Sequence, residues 1–206
     1  RDLHKEYRRQ RQMCIRDRVN TVYLENVEVP VENLIFDENK GWTVAKYLLG
    51  HERSTIAAVG RSKSAILKLK EIAKSEILNN EPLIKDTRFR DRLTKLEMEL
   101  FALEYTELRV LSEENKGSAP GPEASLLKIR GSEIQQKISE LTMDAVTYYG
   151  LISSNNQVPL GSNEVFAGPV YAEHLGSNYL NLRKTTIYGG SNEIQKNILA
   201  KMVLGL

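Results

Sequence analysis

Phe89, Leu93, Leu96, Leu100 and Leu103 recur at alternating steps of four and three, a spacing that lays one apolar ridge along a single side of an α-helix. A strand cannot use that pattern, because its side chains alternate with a period of two. A chain carrying such a ridge has to bury it against other helices, and the rest of the sequence is read against that demand. The ridge predicts a helix from about Asp86 to Glu114.

Similar periods flank it. Val44, Leu48, Thr55, Val59 and Ile66 form one stripe and predict a first helix from about Thr43 to about Leu78, ended by Asn79, Asn80 and Pro82. After the break "NKGSAPGPEA", Pro122 suits a helix's first turn. The helix it opens is expected to reach about Tyr149, with Leu127, Ile134, Ile138, Leu141, Ala145 and Tyr148 on one face. Gly131 falls on that face, which predicts close approach of a neighbouring backbone. Residues 150–174 read as loop, with a short helix near Val165 to His174. The chain then closes with a short extended run from Thr185, a diglycine and a last helix from Ser191 to about Leu204, stopped by Gly205. The expected architecture is mainly α, an up-and-down four-helix bundle over residues 41–206.

Before Gly41 the pattern changes. Val27, Val29 and Val31 alternate, with Pro30 between, as at an edge strand or the end of a β-domain. Residues 19–40 are therefore read as the remnant of a β-barrel domain. Residues 1–18 have no apolar periodicity and hold seven Lys or Arg against three Asp or Glu, whereas the remainder carries 22 against 24. A basic arm and a disordered tail are two readings of this leader. A third is preferred: "QMCIRDR" resembles the in-frame translation of a transposase end used in sequencing libraries, which makes the segment non-native and the chain a C-terminal piece.

Composition excludes several classes. The body has no basic face for nucleic acid, no apolar run approaches the ~20 residues that span a bilayer, and the single Cys14 rules out a disulfide framework. His51 and His174 stand alone, without metal-ligand spacing. A cytoplasmic location is expected.

Two stretches could carry chemistry. In "TTIYGGSNEIQKNILAKMVLGL", Gly189 and Gly190 permit close approach, Ser191 can cap a helix, and Glu193 suits its dipole. The free amides of such a start favour an anionic or electron-rich ligand, although most Gly-Gly-Ser starts are only helix starts. In "LLGHERSTIAAVG", Glu52 falls on the apolar stripe, four residues after Leu48 and three before Thr55. A desolvated carboxyl there is a stronger base. The structural alternative is an ion pair with Arg53, Arg61 or another basic residue.

Together these stretches resemble the acyl-CoA dehydrogenase family over nearly all of Val19 to Leu206. "NVEVPVENLI" with "NKGW" is similar to the exit from that family's β-barrel domain, and "YGGSNEIQKNILAKMVLGL" to its terminal motif. "LLGHERSTIA", "APGPEASLLKIRGSEIQ" and "LRKTTIYGGSNEIQ" look closest to a bacterial branch of pimeloyl-CoA dehydrogenase large subunits. The resemblance implies an FAD-dependent enzyme that takes an acyl-CoA thioester to the trans-2-enoyl-CoA and passes electrons to an electron-transfer flavoprotein or similar acceptor. It implies a homo- or hetero-tetramer, with a small subunit in the second case.

It also implies roles for residues. Many members carry their catalytic Glu at the position of Gly189, and some place it instead on the first bundle helix, where Glu52 matches. Gly190, Ser191 and Glu193 match cofactor-facing positions, while Tyr188, Gly189 and Arg53 match the substrate side; no metal is implied. Two departures stand out: "EILNNEPL" lacks the family's Arg-x-x-Phe-Gly motif, and its Gly-rich turn is reduced to "YYGL". These fit a heteromeric assembly, including one in which this subunit is non-catalytic. The chain on its own, without the domains that complete the cavity, is expected to be inactive.

Overall fold

The computed structural model describes residues 22–116, 121–152 and 167–206, with residues 50–55 described in backbone only. Residues 1–18, read above as a non-native leader and including Cys14, lie outside the described residues. The chain divides into two compact units, Arg1–Leu48 and Leu49–Leu206.

In the first unit, residues 22–40 form no strand; a 3-10 turn at Val31–Asn33 follows Pro30. The expected edge strand is corrected here. Val27, Val29 and Val31 are all exposed, and alternation makes a strand only where a neighbouring strand takes up the ladder hydrogen bonds. Helix α1, Gly41–Ile56, then leads into the second unit.

The second unit is built from α2 (Val59–Ser75), a hairpin of β1 (Ile77–Leu78) and β2 (Glu81–Pro82), α3 (Thr87–Asn115), α4 (Glu123–Val146), α5 (Leu175–Leu182) and α6 (Asn192–Leu199). The predicted ridge of α3 is buried at every position, Phe89, Leu93, Leu96, Leu100 and Leu103, and continues to Val110. Asp86 caps it, its carboxylate accepting from Phe89 N at 2.8 Å. On α4, Leu127, Ile134, Ile138, Leu141 and Ala145 are buried as expected, and they join the α3 ridge with Ile66, Leu69 and Ile72 of α2 in one apolar core. The architecture is the mainly α bundle that the periodicities call for.

The expected single helix from Thr43 to Leu78 is two helices. The break falls at Ala57 and Ala58, with Ala58 left-handed at φ 50°. Alanine is the best helix former, so local propensity gives no warning of it. The cause is tertiary: a Cβ on Gly131 would lie 2.5 Å from Ala57 Cα and 2.6 Å from its carbonyl oxygen, so Ala57 rides directly on α4. Gln135 Nε2 donates to the Ile56 carbonyl (3.1 Å) that the break frees.

Other boundaries also move. The first helical stretch stops at Ser75, and Asn79 and Asn80, both with positive φ, turn a hairpin in register Ile77 to Pro82 and Leu78 to Glu81. Helix α4 stops at Val146 and passes into a 3-10 turn, Thr147–Leu151, which leaves Tyr148 exposed rather than on the core face. Arg183–Thr186 is 3-10 rather than extended, and α5 occupies residues to which the periodicities gave no helix. Near Val165 to His174, residues 165 and 166 lie outside the described residues and Val170–Ala172 forms one 3-10 turn. Helix α6 runs on into a π-helical turn, Ala200–Leu204, and Gly205 at φ 70° ends it. Among the described residues no helix is long and apolar enough to cross a membrane.

Candidate functional site

Helix α4 is buried on more than its apolar face. Ser125, Lys128, Ser132 and Ser139 are also buried, and with Gln136 they are spaced three, four, four and three, a polar stripe along the same helix. This stripe receives the end of the chain. Gln136 Nε2 donates to the carbonyls of Leu182 (3.2 Å) and Arg183 (3.1 Å), taking up acceptors left where α5 ends. Arg183 stacks on the Tyr179 ring at 4.3 Å and donates to Ser139 Oγ at 2.8 Å. Thr185, fully buried, donates to the Leu182 carbonyl at 2.8 Å. The segment that leads to the diglycine is thus pinned to α4 before it turns.

The turn itself is left-handed at both glycines, φ 64° at Gly189 and 84° at Gly190, a conformation that costs other residues roughly 1–2 kcal/mol. At both glycines an added side chain would meet the end of a neighbouring side chain, which would have to shift. A Cβ on Gly189 would collide with Cδ1 of Ile56, and one on Gly190 with Nε2 of Gln195. Sequence reasoning finds an acid absent at 189; in the structure the side-chain end of Ile56, the last residue of α1, stands beside that position.

Ser191 is the N-cap of α6, its hydroxyl accepting from Ile194 N at 3.4 Å. Glu193 sits exposed in the first turn, and hydrogen bonding from its own backbone amide and from the Ser191 hydroxyl holds its carboxyl below the usual range. Burial pushes the half-exposed Tyr188 phenol up, opposed by the Arg61 charge. Tyr188, Gly189, Gly190, Ser191 and Glu193 are thus brought together as one turn and cap. Glu52 and Arg53 lie in α1, but their side chains, like that of His51, are outside the described residues. His174 is exposed beside Glu173. Among the described residues, no three His, Cys, Asp or Glu are grouped to hold a metal.

Four residues that sequence reasoning missed complete the turn. Lys128 Nζ donates to Asn192 Oδ1 at 2.8 Å, Ser132 Oγ donates to the same oxygen at 3.3 Å, and Gln195 Nε2 donates to the Gly189 carbonyl at 3.1 Å. For Lys128 and Ser132 the available signal is the second, polar period of α4, which marks a helix covered on two sides.

Residues 39–204 match the family model described as "Acyl-CoA dehydrogenase, C-terminal domain". The chain belongs to the acyl-CoA dehydrogenase family. Among curated relatives, the acyl-CoA dehydrogenase FadE34 of Mycobacterium tuberculosis is 28% identical over 190 residues, covering 91% of this chain and 23% of the relative. The solved butyryl-CoA dehydrogenase of Megasphaera elsdenii superposes with a TM-score of 0.66 at 21% identity, covering 87% of this chain and 43% of that one. The ChsE4-ChsE5 complex of M. tuberculosis gives 0.69 at 23%, covering 89% and 45%. At those identities the two structures show the fold alone. The chain spans less than half the length of each of these relatives, so the turn described above is one part of what a whole family member contains.

Proposed function

We propose that this chain is the C-terminal part of an FAD-dependent acyl-CoA dehydrogenase that converts an acyl-CoA thioester to its trans-2-enoyl-CoA, with Glu52 as the base. The observation that carries the reading is the meeting of α1 with the diglycine turn. Ile56 abuts Gly189, and position 52 lies one helical turn before Ile56 on the same helix face. The family supplies its base from one of two walls of one cavity; here the wall at Gly189 offers no carboxylate, and the helix whose end abuts that glycine is the one bearing Glu52.

The residues of the turn fit FAD. Two glycines in the left-handed region, a capped helix start with free amides, and the exposed apolar side chains of Ile187 and Ile194 beside it suit the electron-rich edge and flat face of a ring. The flavin, when bound, supplies the acceptor for the β-hydride. The chain's own share is the remainder: Glu52 takes the α-proton, Tyr188 and Arg53 line the thioester side, and Gly190, Ser191 and Glu193 hold the cofactor edge. An electron-transfer flavoprotein or similar acceptor would be the redox partner of such a site.

A second reading makes this a non-catalytic assembly subunit of a heteromeric dehydrogenase. The missing Arg-x-x-Phe-Gly motif favours it, because the corresponding stretch is the tight Ile77–Pro82 hairpin preceded by Glu76, whose carboxylate accepts from Tyr171 Oη at 2.7 Å. Glu52→Gln in the full-length protein separates the two. The catalytic reading expects turnover to fall by roughly two to four decades with flavin content unchanged; near-normal turnover would leave only the assembly role.

A further inference from the structure

Lys128 is among the largest fully buried side chains of the protein, with no exposed surface at all. Its one hydrogen bond among the described residues goes to a neutral acceptor, Asn192 Oδ1, and Asn192 is the first residue of α6. This placement is electrostatically wrong for stability alone. An ammonium is costly to bury without a carboxylate, and the N-terminal end of a helix already carries positive partial charge. Among the described residues the opposing charge felt by Lys128 is that of the exposed Glu193. Burial lowers the Lys128 pKa and the Glu193 carboxylate works against that shift.

A second observation lies under the same turn. Gln195 is 2% exposed; its Nε2 is spent on the Gly189 carbonyl and fills the space beside Gly190, while its Oε1 is buried without a partner. Among the described residues the polar set beneath the diglycine therefore holds an unpartnered acceptor as well as a buried ammonium on a neutral partner. Sites that break the rules of burial in this way are where function is stored.

We propose that Lys128 is a positioning residue for the cofactor-facing turn: its buried ammonium fixes Asn192, and with it the first amides of α6, and places positive charge beneath the edge that holds an electron-rich ligand group. Ser132, donating to the same Asn192 oxygen, sets the amide's orientation. The inference rests on the flavin reading above and deepens it.

The test uses the full-length flavoprotein and two variants. Lys128→Met keeps the length and removes the charge; Asn192→Asp keeps the contact and cancels the charge with a carboxylate. In both, the affinity for FAD is expected to weaken about tenfold, the scale of one lost charge-assisted contact. The midpoint potential of the bound flavin is expected to move negative, because the reduced form loses a stabilising cation. Unfolding temperature is expected to hold or rise, since a buried charge has been relieved. A potential equal to wild type in the bound flavin of either folded variant, whatever stability does, overturns the proposal and leaves Lys128 a structural residue. Should Lys128→Met fail to fold, Asn192→Asp decides alone. Absence of flavin from the wild-type protein is a different result and refutes the functional reading instead.

Discussion

The two sides of α4 are built to opposite rules. Toward α2 and α3 the helix shows Leu127, Ile134, Ile138 and Leu141, all buried against leucines and isoleucines. Toward the chain's end it shows Lys128, Ser132, Gln136 and Ser139, joined to α5, Arg183, Thr185 and α6 by directional hydrogen bonds. The apolar side is held by area and close packing, which tolerate a range of side chains of similar volume. The polar side is held by matched partners, each of which is costly to orphan. The first side makes the fold; the second fixes one turn in one conformation.

The sharpest way to break that contrast is to hollow the apolar side. Leu127→Ala, at a fully buried position, is expected to cost about 2–5 kcal/mol, measured as the shift in urea midpoint. Gly131→Ala tests the contact that splits the first two helices. Its Cβ meets Ala57 backbone rather than a yielding side-chain end, so a loss of about 1–3 kcal/mol is expected despite the roughly 1 kcal/mol that Ala offers a helix over Gly. A stabilised variant would mean that the Ala57 approach is not tight. On the polar side, Ser191→Ala removes the cap of α6 and is expected to cost about 1 kcal/mol, with faster amide exchange confined to the turn as the accompanying sign.

The buried lysine adds an effect read by its sign. Lys128 binds its proton less tightly in the folded chain than at its ordinary value of 10.5. Between the lowered folded value and 10.5 the unfolded chain therefore holds more protons, and stability should rise with pH across that window. Tyr171, pushed up to about 12 by burial and then by its bond to Glu76, works in the opposite sense. Its contribution is present below 10 and is lost as pH rises toward 12, and Tyr188 acts in the same direction as Tyr171. The difference between wild type and Lys128→Met, taken point by point along a pH series, isolates the lysine; a flat difference would show that its charge is not relieved by folding-state titration. The smallest effect belongs to the exposed α2–α3 ion pair of Lys63 and Glu104 at 2.6 Å. Lys63→Ala is expected to change stability by less than about 1 kcal/mol, and a larger loss would place electrostatics in a seam assigned here to apolar packing.

The contrast also explains what could be read early. The ridge of α3 and the apolar face of α4 were legible because periodicity is a local record of which side is covered. The cap at Ser191, the stop at Gly205 and the close approach at Gly131 were legible for a similar reason, since each residue type has few other uses there. The break at Ala57 and Ala58 was not, because two alanines favour helix and only the distant Gly131 and Gln135 supply the competing contact. The strand reading before Gly41 rested on alternation, which records a preference and cannot supply a partner. Lys128 was hidden by its type, because a lone lysine in a helix is ordinarily solvated.

Sequence by itself determined the family, the helical bundle, and the turn of Tyr188, Gly189, Gly190, Ser191 and Glu193, because those follow from side-chain period and from residues with narrow conformational uses. Tertiary structure decided where the first helix divides, that Ile56 occupies the space beside Gly189, and that a lysine 64 residues away in the chain is hydrogen-bonded beneath the same turn. The physical reason is range. Periodicity and capping act within a few residues, whereas steric exclusion and charge act between segments that only the folded chain brings together.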